Sequence, residues 1–188
     1  MADLKQLIKN IEQWAEDRNL IEGSTPQKQF IKLMEEFGEL CGGISKNNIE
    51  QIKDSIGDCE VVLIILNKQL NCKINFEDAI NNFSIKGEYS VEDYILDFSI
   101  HISDLAYSIA HLESKLGSIN IEKSLLRVFG SILSIADYKY LGCAECLKFA
   151  YNQIKDRKGK MIDGVFVKEG DLRRVGRSKL LGASYGNK

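Results

Sequence analysis

Five carboxylates stand out by type and spacing. Glu35-Glu36-Phe37-Gly38-Glu39 is followed, about one helix later, by Asp54-Ser55-Ile56-Gly57-Asp58. Residues three and four apart on an α-helix share a face, so Glu36 projects with Glu39 and Asp54 with Asp58. Ile31, Leu33, Met34, Phe37 and Leu40 give the first segment an apolar side, and Val61 to Leu66 form an unbroken apolar run that begins three residues after Asp58. Carboxylates embedded in such helices are costly unless compensated. A divalent cation compensates them well, since Mg²⁺ takes oxygen ligands and lets substrate phosphates complete its shell. The stretch from Gln29 to Leu66 therefore predicts two helices facing each other across a Mg²⁺ site, with Mn²⁺ as the alternative ion. Gly57 adds weight: inside a helix it costs about 1 kcal/mol against Ala, so close approach of another helix or of a ligand is expected there.

The pattern resembles the MazG-like, all-α nucleoside triphosphate pyrophosphohydrolases. The matching features are Trp14-Ala15-Glu16-Asp17, Gln29 and Lys32 ahead of the glutamates, Ile56-Gly57-Asp58, and Asn152-x-x-Lys155-x-Arg157. The family's fourth metal ligand is usually a Glu three residues before the Gly-Asp aspartate. Ser55 stands there, and Asp54 is the nearest substitute. The resemblance implies Glu36, Glu39 and Asp58 as metal ligands, with Glu35 and Asp54 as a further ligand or water-orienting group. It implies Gln29, Lys32, Asn152, Lys155, Arg157 and Lys158 as substrate contacts. The implied reaction converts a nucleoside triphosphate and water to the monophosphate and pyrophosphate. The competing reading is a non-catalytic helical interaction or nucleotide-sensing module.

The elements that must position these groups are helical. One proline in 188 residues favours long helices. Leu4, Leu7, Ile8, Ile11, Trp14 and Ala15 predict a helix near 3–19; Trp14 is either core or a substrate contact. Thr25-Pro26 is a helix start, with the helix ending at Gly42-Gly43. A second long helix is expected over 49–70 and a short one over 76–83. Ser90-Val-Glu-Asp is a capping box opening a helix to about Lys115. Gly117-Ser118 is read as a break, with further helices following and the last spanning Ala144 to Lys158. Asp163-Gly164 signals a small hairpin.

Cys72–Phe83 aligns without gaps on Cys143–Ile154. Two diverged tandem units, about 20–87 and 90–160, are therefore expected within one all-α bundle over 1–172. The positions near Leu105, Ser108 and Ser131 of the second unit lack the acids of the first. This also resembles the tandem-repeat, dimeric-dUTPase-like branch, implying a homo-oligomer, such as a dimer. Residues 173–188 contain no acid and read as a basic flexible tail.

Several classes are excluded. No Gly-x-x-x-x-Gly-Lys-Ser/Thr loop is present. Neither His101 nor His111 follows a Glu by three residues, as a di-iron bundle requires. Cys143-Ala-Glu-Cys146 lacks a second ligand pair for zinc and reads as core. A net charge of −2 gives no pull toward nucleic acid or membrane. The longest apolar run is too short to span a bilayer. A cytoplasmic protein with reduced cysteines is expected.

Overall fold

The computed structural model describes residues 4–84, 87 and 89–172, with only the backbone described at 115–120. The basic tail expected at 173–188 lies outside them. Seven helices are found among the described residues: α1 (Leu4–Asp17), α2 (Pro26–Ser45), α3 (Ile49–Gln69), α4 (Phe76–Asn81), α5 (Val91–Ala110), α6 (Lys115–Tyr138) and α7 (Cys143–Ile154). A two-stranded antiparallel hairpin follows, β1 (Gly159–Ile162) and β2 (Val165–Lys168), then one 3-10 turn at Glu169–Asp171. The fold is an all-α helical bundle with a hairpin appendage.

Helix α3 is its axis. From Cys59 to Asn67 every residue is buried, and a helix apolar on all sides needs neighbours on all sides. It has them in α1, α2, α6 and α7. The α5–α6 hairpin joins through the stacked rings of Phe37 and Phe98, 4.1 Å apart.

Local chemistry sets the boundaries. Thr25 caps α2 by accepting from Lys28 N, with Pro26 in the first turn. Ser90 and Asp93 form the full capping box of α5. The hairpin turns through Asp163 and Gly164, both at positive φ, the two-residue turn whose twist suits paired strands.

Four expected boundaries move, one of them the end of α5, which stops at Ala110 rather than near Lys115. Gly42-Gly43 does not end α2, which runs on to Ser45. Gly43 is instead the contact at which α3 comes close: a Cβ there would lie 3.1 Å from Ile52 and 3.3 Å from Gln51. Gly117-Ser118 does not interrupt α6, whose first residue is Lys115; the turn lies before it, at 111–114. Helix α7 stops at Ile154 rather than Lys158. Donors from α1 and the residue after it take the carbonyls there: Trp14 Nε1 bonds Ile154 O at 2.9 Å, and Arg18 Nη2 bonds Lys155 O at 3.0 Å and Arg157 O at 2.9 Å.

Candidate active site

One cavity of about 360 Å³ gathers the chemistry-bearing residues. Its apolar walls are Trp14, Leu20, Val61, Val62 and Ile65, with Phe166 from β2. Phe166 meets Trp14 edge-on at 6.3 Å, and the Arg18 guanidinium lies over both rings. Gln29 and Ser24 are buried and bonded to each other at 3.3 Å, so a carboxamide and a hydroxyl stand in an otherwise apolar region.

The acids line the same space. Glu36 is buried and Asp58 partly so. On α2 the buried face runs through Gln29, Leu33, Glu36 and Leu40, which forces Glu36 inward with its apolar neighbours. Lys32 answers it: Nζ lies 2.5 Å from Glu36 Oε1 and 3.0 Å from Glu35 Oε2. Burial lowers the Lys32 pKa, but the bonds and charges of Glu36 and Glu35 outweigh it and leave the ammonium above its usual value. Asp58 has no such relief. Burial, then the charges of Glu36 and Asp54, push its carboxyl up to about 7, against the weaker pull of Lys32 and Arg157. Asp54 shifts upward for similar reasons, burial first and Glu36 second, with Arg157 and Lys168 opposing.

Of the residues expected to form the site, Gln29, Lys32, Glu35, Glu36, Asp58 and Arg157 line the cavity together. Asp54 stands behind this group, with Oδ1 accepting from Gln153 Nε2 at 2.7 Å, and acts on it by charge. Glu39 is exposed and does not line the cavity. One turn of α2 separates it from Glu36, but Phe37 and Leu40 set which face is buried, and Glu39 falls outside that face. Asn152, Lys155 and Lys158 are exposed and outside the lining as well. The early end of α7 explains this: Lys155 is its C-cap, and Arg157 alone of the basic group turns in.

Sequence reasoning missed Lys28, Phe166 and Lys168. Lys28 and Lys168 line the cavity, and the charge of Lys168 reaches Asp54. Lys28 Nζ also donates to the Asp163 carbonyl and ties the hairpin to α2. The Asp163-Gly164 signal revealed the hairpin but not where it lands. Gly57 fulfils its expectation through a helix rather than a ligand: a Cβ there would run into the Cys146 backbone of α7 and lie 2.8 Å from the Ala150 Cβ.

The expected ligands Glu36, Glu39 and Asp58 do not form one converging group. Among the described residues no three His, Cys, Asp or Glu side chains converge closely enough to hold an ion, and no helix is long and apolar enough to cross a membrane. Cys143 and Cys146 are buried with free thiols; burial pushes the Cys146 thiol up to about 12.

No family model matches the chain, and no solved structure matches it. A curated relative does: an uncharacterized 18.2 kDa protein from the rep-hol intergenic region of Haemophilus phage HP1, 56% identical over 118 residues. The alignment covers 56% of this chain and 72% of that protein. At that identity and coverage, the chain belongs to the same family as this phage protein.

Proposed function

We propose that the cavity hydrolyses a nucleoside triphosphate to the monophosphate and pyrophosphate, with Mg²⁺, or Mn²⁺, as the metal. The observation that carries this reading is one space holding buried acids, basic side chains and an apolar aromatic wall. Glu36 has Lys32 as its one ion-paired cation and Asp58 has none among the described residues, Arg157 and Lys168 line the same space, and Trp14 and Phe166 close the other wall. The donor chemistry fits a hard cation. Mg²⁺ is ordinarily held by one or two carboxylates, with water and substrate phosphates completing its shell, so the pair Glu36 and Asp58 suffices without a third converging acid. Asp54 lies behind them, and Glu39 would reach the ion only by turning in from solvent.

When bound, the ion supplies charge neutralisation on the phosphates and a water of lowered pKa. The chain's own residues do the rest. Arg157 and Lys168 neutralise phosphate oxygens. Trp14, Phe166, Val62 and Ile65 exclude water from the base, and Gln29 can both donate to its edge and accept from it. Glu35, at the solvent side of Lys32, is placed to take a proton from the attacking water.

The superfamily resemblance supports this reading, and so does the order of elements. A long helical hairpin (α2–α3) followed by a short helix (α4) recurs as α5–α6 followed by α7, as a duplicated unit would give. Leu96, Ile100 and Tyr107 lie exposed on one stripe of α5 and suit the homo-oligomer that the resemblance implies; sedimentation tests it. A nucleotide-sensing module is the second reading, favoured by the Lys32–Glu36 pair that already neutralises one acid. A panel of common NTPs and dNTPs with Mg²⁺ and pyrophosphate detection decides between them. The proposal expects pyrophosphate from at least one substrate. Release of orthophosphate and a diphosphate would refute it, and binding without turnover would select the sensor.

A further inference from the structure

Among the described residues, the one ion-paired cation that a cavity carboxylate has is Lys32. Glu36 is the most deeply buried acid of the cavity, its side chain 5% exposed, and the Lys32 ammonium sits 2.5 Å from it. The same ammonium reaches Glu35 at 3.0 Å, and its charge is felt at Asp58. The other cavity cations do not share this place. Lys28 donates to the Asp163 carbonyl, Lys168 acts on Asp54, and Arg157 acts by charge on Asp54 and Asp58, with no cation but Lys32 ion-paired to Glu36. Lys32 is also able to leave, because its side chain is 44% exposed and a four-carbon stem swings easily.

We infer that Lys32 is a built-in counter-ion that a divalent cation must displace from Glu36, and that the displaced ammonium is taken up by the substrate's phosphates. This rests on the pyrophosphohydrolase reading and adds a regulation to it. Metal and ammonium compete for one carboxylate, so the metal-free protein is neutralised without an ion. The ion then binds weakly alone. A triphosphate repartners Lys32 and lifts the competition, so metal and nucleotide bind in mutual support, as linkage requires.

The test is calorimetric titration of Mg²⁺, without nucleotide, into wild type, Lys32→Met, Lys32→Arg and Lys28→Met, then again with a non-hydrolysable α,β-imido deoxynucleoside triphosphate. Removing a competing charge at this distance is expected to tighten Mg²⁺ binding by Lys32→Met at least about tenfold. Lys32→Arg and Lys28→Met should stay near wild type. The analogue should tighten Mg²⁺ binding to wild type and do little for Lys32→Met. If Lys32→Met unfolds without metal, Mg²⁺ should restore its circular-dichroism melt, and failure to do so overturns the inference. Unchanged or weaker Mg²⁺ binding by a folded Lys32→Met overturns the inference alone. No binding of Mg²⁺ or Mn²⁺ by any variant, with or without the analogue, overturns the hydrolase reading together with it.

Discussion

The hairpins α2–α3 and α5–α6 are built alike and treat buried polarity in opposite ways. Both pair two long helices and pack them against the same core. In α5–α6 the buried polar groups described are hydroxyls, and each has a partner. Ser108 and Ser124 bond each other at 3.2 Å; Ser131 bonds Asp97 at 2.9 Å and lies 2.9 Å from His101 Nδ1. The carboxylates of that hairpin stay near the surface, with Asp97 49% and Asp104 51% exposed. In α2–α3 the buried groups include Glu36 and Glu60, with Asp58 beside them. A paired hydroxyl costs little in a core, whereas an unpaired carboxylate costs much. The first hairpin thus carries a penalty that the second shows to be unnecessary for the architecture. On the proposed function, the share of that penalty at Glu36 and Asp58 marks where binding, rather than folding, sets the residue type; Glu60 lies outside the cavity lining.

The largest expected effect breaks this comparison at its acids. Asp58→Asn or Glu36→Gln should lower turnover by more than about a hundredfold with the helical circular-dichroism spectrum unchanged. Ser131→Ala in the other hairpin should leave turnover at wild type. Equal losses from both hairpins in a steady-state assay would mean that burial of the acids is not a functional mark.

Next in size is the packing of Gly57. Any side chain there meets the α7 backbone at Cys146 and the Ala150 methyl. Backbone cannot swing aside, so Gly57→Ala should overpack the α3–α7 contact and cost about 1–3 kcal/mol or more. A urea melt reads this directly, and an unchanged midpoint would show that α7 is not seated on α3 as described.

The cations come third. Arg157→Ala or Lys168→Ala should each remove a charge-assisted phosphate contact worth about 1.5–3 kcal/mol, roughly ten- to a hundredfold in substrate affinity. Lys155→Ala and Asn152→Ala should stay near wild type, since both residues lie outside the cavity. A Michaelis constant raised by Lys155→Ala and not by Lys168→Ala would reverse the assignment.

The pH dependence of Asp58 gives a smaller effect with a defined sign. Its carboxyl is raised from 3.8 to about 7 on folding. A raised carboxyl favours the folded state at low pH, and that contribution is lost as pH climbs through the folded value. Below about pH 4 the folded and unfolded states both hold Asp58 neutral, so Asp58→Asn changes little there. At pH 8 the ionised carboxylate is penalised by burial and repelled by Glu36 and Asp54, and the amide relieves this. The melting temperature of metal-free Asp58→Asn should therefore exceed that of wild type by a few degrees at pH 8, with the gap narrowing as pH falls and closing below about pH 4. A gap that widens on acidification would mean that Asp58 is ionised and well paired in the fold.

How much of this was legible depends on range. Signals written within four residues were readable: Thr25-Pro26, the Ser90–Asp93 box and Asp163-Gly164 each gave the expected local structure. Glu36 and Asp58 were readable because each interrupts an apolar pattern. Glu60 interrupts one too, one residue before Val61, but two residues from Asp58 nothing in the local pattern separates it from a solvated acid. It is fully buried, and neither oxygen has a hydrogen-bond partner apart from the weakly donating Cys143 thiol beside it. Burial raises its carboxyl well above the usual range, against the opposing Cys143 bond. What the sequence could not carry was distance across the fold. Glu39 needed the azimuth of α2 to within one residue. Lys168 needed the landing place of a hairpin more than a hundred residues from Glu36. Gly42-Gly43 read as a helix end because the neighbour that explains Gly43, Ile52 of α3, is a tertiary contact.

The mid-helix glycines of the two hairpins differ in the same way at a smaller scale. Gly57 of α3 and Gly130 of α6 carry the same intrinsic cost, since glycine loses more backbone freedom in a helix than any other residue. Their surroundings differ: around Gly57 a methyl collides with α7, whereas around Gly130 nothing lies within 4 Å of where a Cβ would be. Gly130 borders an open groove between α4 and α6, so an added methyl points into space. With no collision to offset it, Gly130→Ala should recover the propensity difference and stabilise the protein by about 0.5–1 kcal/mol. Turnover should stay unchanged, because the groove is remote from the acids. The matched pair of melts measures packing against propensity in one scaffold. If Gly130→Ala destabilises, the groove is filled in solution, and the α4–α6 face is a contact surface that α3 and α7 have no counterpart for.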